Sequence, residues 1–128
     1  MNNELVRPEL QRVHEDDLEY VRNGTYIGLF YNYKGKPFTG YMVLGYYDNG
    51  NVEIEYEYFE GEQMGWEVEY YENGKVKDKT LMYGATSIVY YEYDEAGNET
   101  EVGFVASKSL YNKCARLIGM EEIDETEE

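Results

Sequence analysis

Apolar and charged residues alternate along the middle of this chain between regularly spaced turn signals. The run Val52-Glu53-Ile54-Glu55-Tyr56-Glu57-Tyr58 sets Val, Ile and Tyr on one side of an extended strand and three Glu on the other, and Trp66-Glu67-Val68-Glu69-Tyr70 repeats the pattern. Asn-Gly recurs at Asn23-Gly24, Asn49-Gly50 and Asn73-Gly74, with Ala96-Gly97 in the next slot, so the glycines fall 26, 24 and 23 residues apart. A second set, Gly35, Gly40, Gly61 and Gly65, lies between these turns. Each unit reads as two strands with a turn at each end, which predicts an antiparallel meander.

The central copies, Tyr46 to Glu53 and Tyr70 to Lys77, match closely enough to argue a register. A three-residue loop Glu72-Asn73-Gly74 sets Tyr71 against Lys75, Glu69 against Lys77 and Glu67 against Lys79, whereas a two-residue loop sets Glu69 against Asp78. Opposed charges contribute roughly 0.2–1 kcal/mol per pair and like charges cost, which favours the three-residue loop with its glycine in a bulge. The same choice at Asp48-Asn49-Gly50 pairs Tyr46 with Val52 and Leu44 with Ile54. A sheet with one apolar face needs a cover. A helix over 108–118, N-capped by Ser107 and ended by Gly119, supplies one, with Leu110, Cys114, Leu117 and Ile118 inward and Lys108, Lys113 and Arg116 outward. The fold class expected is α+β, mainly β: a meander sheet with a C-terminal helix on one face. Residues 1–120 form one domain, with the repeats over about 26–100. Pro8 to Tyr20 reads as a short helix or loop on the same core, and 121–128, with six acids, as a disordered tail.

Composition narrows the function classes. Asp and Glu number 27 against 11 Lys and Arg in 128 residues, a net charge of -16. By segment this is -3 over 1–23, -10 over 24–106, +3 over 107–120 and -6 over 121–128. Neither nucleic acid nor an anionic membrane suits such a surface, because both need clustered cations. Sixteen Tyr fit strands and argue against disorder. No apolar run is long enough to span a bilayer, the start lacks the apolar core of a signal peptide, and one cysteine, Cys114, excludes an internal disulfide. The compartment expected is the cytoplasm.

The unit Gly65 through Lys75, Gly-x4-Tyr-Tyr-Glu-Asn-Gly-Lys, resembles the MORN-repeat-variant motif of bacterial YwqK-type antitoxins. Tyr31 through Gly40, with its Gly-Lys-Pro-Phe-Thr-Gly turn, resembles the segment that opens such arrays. The resemblance covers about residues 26–100 and implies a repeat sheet and, among other roles, an antitoxin or immunity protein. The third copy, Tyr91 through Asn98, departs from the motif in its turn, and the helix and tail lie outside it.

Catalytic chemistry has little to build on. The only histidine, His14, sits in the charged run His14-Glu15-Asp16-Asp17, where neighbouring side chains do not converge on a metal ion. Cys114 reads as a small apolar residue of the helix. Paired carboxylates on an open face lack the walls that drive acid and base pKa values apart. No catalytic residue, metal or cofactor is therefore assigned. Glu53, Glu55, Glu57, Glu67 and Glu69 share one face in this reading, with exposed Tyr47 and Tyr71 as interfacial anchors. Only Glu67 and Glu69 have lysines across the hairpin, which leaves an acidic stripe along Glu53, Glu55 and Glu57. The partner expected is a basic protein, a toxin such as a nuclease, with a repeat scaffold as the alternative.

Overall fold

The structure is a computed structural model that describes residues 3–126. Among these, ten strands form a mostly antiparallel open sheet: β1 (Arg12–His14), β2 (Glu19–Asn23), β3 (Leu29–Tyr33), β4 (Lys36–Pro37), β5 (Gly40–Tyr46), β6 (Val52–Phe59), β7 (Glu62–Tyr70), β8 (Val76–Tyr83), β9 (Thr86–Tyr93) and β10 (Glu99–Phe104). The main path runs β1-β5-β6-β7-β8-β9-β10, with β1 parallel to β5 and the rest a meander. Helix α1 (Lys108–Ile118) packs on one face. The mainly β class and the C-terminal covering helix are as the alternation predicts.

The three-residue turns form. Tyr71 N–H donates to Lys75 O and Gly74 N–H to Tyr71 O, while Gly74 takes the left-handed φ of 92° that this bulged turn requires. The same bonds recur from Tyr47 to Asn51 and from Asp94 to Asn98. Beyond each turn, however, the ladder slips by one residue. Tyr70 pairs with Val76 as expected, and then Glu69 meets Asp78, Val68 meets Lys79 and Glu67 meets Thr80. Tyr46 pairs with Val52, but Gly45 rather than Leu44 pairs with Ile54, and a second irregularity restores the expected register from Val43–Glu55 onward. The expected Glu69–Lys77 and Glu67–Lys79 register is thereby corrected: the loop is right, and a bulge beside it moves every later pair of β7 and β8. Lys77 still reaches Glu69 diagonally, at 3.6 Å.

Both faces of the sheet are partly covered. On one, Trp66, Val68, Tyr70, Leu81 and Val89 meet α1 and the N-terminal residues Leu5, Val6 and Leu10. On the other, Phe38, Met42 and Tyr58 gather with Tyr31, Tyr33 and Leu18 over β5 and β6. Ser107 caps α1 by accepting Leu110 N–H at 3.0 Å, and Gly119 ends it at φ 85°. The inward stripe is Tyr111, Cys114, Ala115 and Ile118, with Leu110 partly buried against it and Leu117 39% exposed. Leu117 thus sits at the margin of the stripe rather than in it. Over 121–126 the acidic tail is held to the helix: Asn112 brackets the Ile123 backbone with two hydrogen bonds of 2.8 Å, and Arg116 pairs with Glu122 at 2.8 Å. Residues 127 and 128 of the expected disordered tail lie outside the described residues.

Candidate interaction face

The carboxylates read as one stripe divide between the two faces. Glu55 and Glu57 lie on the covered face, 0% and 2% exposed, beside Val43 and Tyr41 of β5. The expectation that they line an open face is corrected, and so is the expectation that no cation stands beside them. Arg12 forks onto Glu55 with bonds of 2.8 and 3.0 Å, and Tyr70 donates its hydroxyl to the same carboxylate. Arg7 reaches Glu57 at 2.7 Å, where the Trp66 N–H also donates, and gives a further bond to Ile118 O at the end of α1. Gly65, read as a turn glycine, lies inside β7 with φ 117°, where a Cβ would fall 2.3 Å from the Glu57 carboxyl. Burial pushes Glu57 up to about 7, outweighing the Trp66 N–H and Arg7.

Alternation misplaced these two residues for a physical reason. The rule that sends Glu outward assumes one face in water. In β6 both faces are covered, and the aromatic residues Tyr56 and Tyr58 occupy the side away from α1. The cations of α1 do not meet these acids: Lys108 lies over Phe104, Lys113 over Tyr83, and Arg116 goes to the tail.

The other sequence-derived residues split further. Tyr47 and Tyr71 are half-buried, and their hydroxyls donate to Tyr70 O and Tyr93 O at 2.7 and 2.8 Å, tying each turn to the next hairpin. Glu53 is half-buried beside Gly45, and both Glu53 and Glu69 act with burial to raise the Tyr47 hydroxyl. Glu67 and Glu69 are on the face away from α1.

There the slipped register builds a row of carboxylates. Glu69 lies opposite Asp78, Asp78 opposite Glu92, and Glu92 opposite Glu101, four carboxylates in line across β7 to β10. Beside it runs a second row, Tyr56, Glu67, Thr80, Tyr90 and Gly103. Gly103 leaves room for the Tyr90 ring, which would stand 2.8 Å from a Cβ there, and Tyr90 reaches across to donate to Glu101 at 2.7 Å. Burial, then Glu69, raises the Asp78 carboxyl. Burial also raises Glu67, although Gln63 donates to it at 2.6 Å. A shallow depression of about 450 Å3 opens here, lined by Asp78, Thr80, Ser87, Tyr90, Glu92 and Val105. Its carboxylates, aromatic ring and exposed Val105 suit a lysine or arginine side chain, head to acid and stem to apolar surface.

His14 accepts the Asp16 N–H on Nδ1 and stacks on Tyr46. Burial pushes the Cys114 thiol up to about 12, so it is protonated at neutral pH. Among the described residues no helix is long and apolar enough to cross a membrane. Comparison with family models, curated proteins and solved structures yields no significant match to this chain.

Proposed function

We propose that this chain is a non-enzymatic binding protein of antitoxin or immunity type. It engages a basic protein, a toxin such as a nuclease, through the open sheet face, where carboxylates stand in for the phosphates of that toxin's substrate. The observation that carries this reading is the row Glu69, Asp78, Glu92 and Glu101. Like charges directly opposite on a sheet destabilise it, and a basic partner would offset that cost on binding. The resemblance of Gly65 through Lys75 to antitoxin repeats supports the role, and the -16 charge supports the sign of the partner. Electrostatic steering makes the association fast and salt-sensitive. Capture from the source cell at low salt tests it, using wild type and the reversal Glu69→Lys/Glu92→Lys. A basic protein should be retained by the wild type, lose its activity in the complex, be released as salt rises, and be lost by the reversal. Recovery of no basic protein would refute the reading. Equal capture by both forms would favour a repeat scaffold indifferent to charge.

A further inference from the structure

The acidic row ends at β10, the outermost strand of the main path. Val105 N–H donates to Ile88 O at 2.8 Å, and the β9–β10 register runs unbroken from there through Gly103–Tyr90 to Glu101–Glu92. Antiparallel pairs alternate between those that exchange hydrogen bonds and those that do not. Gly103 and Glu101 therefore bond to β9 as Val105 does, and the N–H and C=O groups of Val102 and Phe104 point off the edge. Edge strands are commonly blunted by charged side chains, Pro or a bulge, and the charges of β10, Glu99 and Glu101, repel an acidic strand but not a basic one. Here the only bulge lies at the far end, between Glu99 and Glu101, and Val102, Phe104 and Val105 are 47, 41 and 60% exposed. On the α1 side of this edge a groove of about 590 Å3 is lined by Val102, Phe104, Ala106, Ser107, Lys108 and Glu125.

We propose that β10 is a strand-addition site, at which an extended segment of the basic partner pairs with the edge and lengthens the sheet. An added strand presents alternate side chains to the two faces. One set would lie beside Glu101 and Glu92 at the end of the acidic row, which selects Lys or Arg. The other would lie beside Val102 and Phe104 in the groove, which selects apolar residues. A second copy of this chain fits poorly, because it would carry the row on into more carboxylates. The inference rests on the acidic face binding a basic protein, and adds how that protein is held.

Two end-blocked synthetic peptides of about eight residues, near the usual strand length, test it. One alternates Lys with Val and the other has the same composition with its lysines in one block. The alternating peptide should bind about tenfold tighter, because it alone sets all its lysines beside the acidic row and all its valines in the groove, and should slow amide exchange at Val102 and Phe104. Val102→Pro removes an outward N–H and leaves the β9 pairing in place, so it should abolish that preference. Val102→Lys keeps every backbone donor but sets an ammonium among the apolar side chains of the added strand, so it should weaken the alternating peptide more than the block peptide, and it carries the test alone if the proline variant does not fold. Equal binding of both peptides, with the two amides still exchanging freely, would overturn strand addition and leave the acidic face standing. Binding of neither peptide at low salt would overturn both. Protection of the two amides without peptide, together with a dimeric mass, would overturn the proposal in favour of a second copy.

Discussion

Tyr41 and Tyr70 are both fully buried, and they differ in what their hydroxyls meet. Tyr70 donates to Glu55, whereas the Tyr41 hydroxyl has no hydrogen-bond partner among the described residues. A hydrogen bond to a charged group is worth about 1.5–3 kcal/mol, and a buried unpaired polar atom is a cost. Tyr70→Phe should therefore destabilise by about 1.5–3 kcal/mol, and Tyr41→Phe should be neutral or stabilise by up to about 1 kcal/mol, as read by urea denaturation. Glu57 gives a pH dependence. With its carboxyl at about 7 against an ordinary 4.5, the folded protein holds a proton across that window which the unfolded chain has released. Stability then rises as pH falls from 7 toward 4.5, and the raised carboxyls of Glu67 and Asp78 act in the same direction. Melts compared at about pH 8 and pH 5.5 should differ by about 1–3 kcal/mol in favour of the acid side, and Glu57→Gln should narrow the gap.

Among the elements, the turns hold the repeats together. Asn73 accepts Lys75 N–H within its own turn and donates to Glu95 O of the next at 3.0 Å, and Asn49 does the same with Asn51 and Glu72. Asn73→Ala breaks both bonds at an exposed site and should cost about 1–2 kcal/mol in chemical denaturation. These turns, their spacing and the helix limits were legible, because Asn-Gly, Ser107 and Gly119 act through local backbone chemistry. The register was not. Pairing Glu69 with Asp78 looks unfavourable in isolation, and a single bulged residue next to the turn decides it. The faces of β6 were not legible either, since Arg7 and Arg12 are distant in sequence and their roles appear only when the N-terminal segment lies on the sheet. Of the candidate residues, Glu67 and Glu69 were placed on the open face. Asp78, Glu92 and Glu101 were missed, and the discarded register was the signal that would have found them.

Across the whole molecule, charge opposes folding and favours association. Added salt should raise the melting temperature by screening the -16, with most of the gain reached by about 0.5 M, where the Debye length falls to roughly the spacing of opposed side chains. Glu92→Lys should raise stability at low salt by relieving both of its opposed acids, and that advantage should fade as salt rises. On the proposed function the variant would gain stability and lose partner binding, the trade expected when a surface is kept for use rather than for folding. The buried ion pairs carry a different consequence. A meander of near-identical hairpins invites misalignment by one unit, since the turns at Gly50 and Gly74 are interchangeable in shape. Moving the N-terminal segment along by that 24-residue step would replace Glu55 with Lys79 and Glu57 with Leu81, setting Arg12 against another cation and leaving Arg7 beside a hydrocarbon. Arg7 and Arg12 thus work as an address, readable on one hairpin alone, that tells an otherwise repetitive chain where its own beginning belongs.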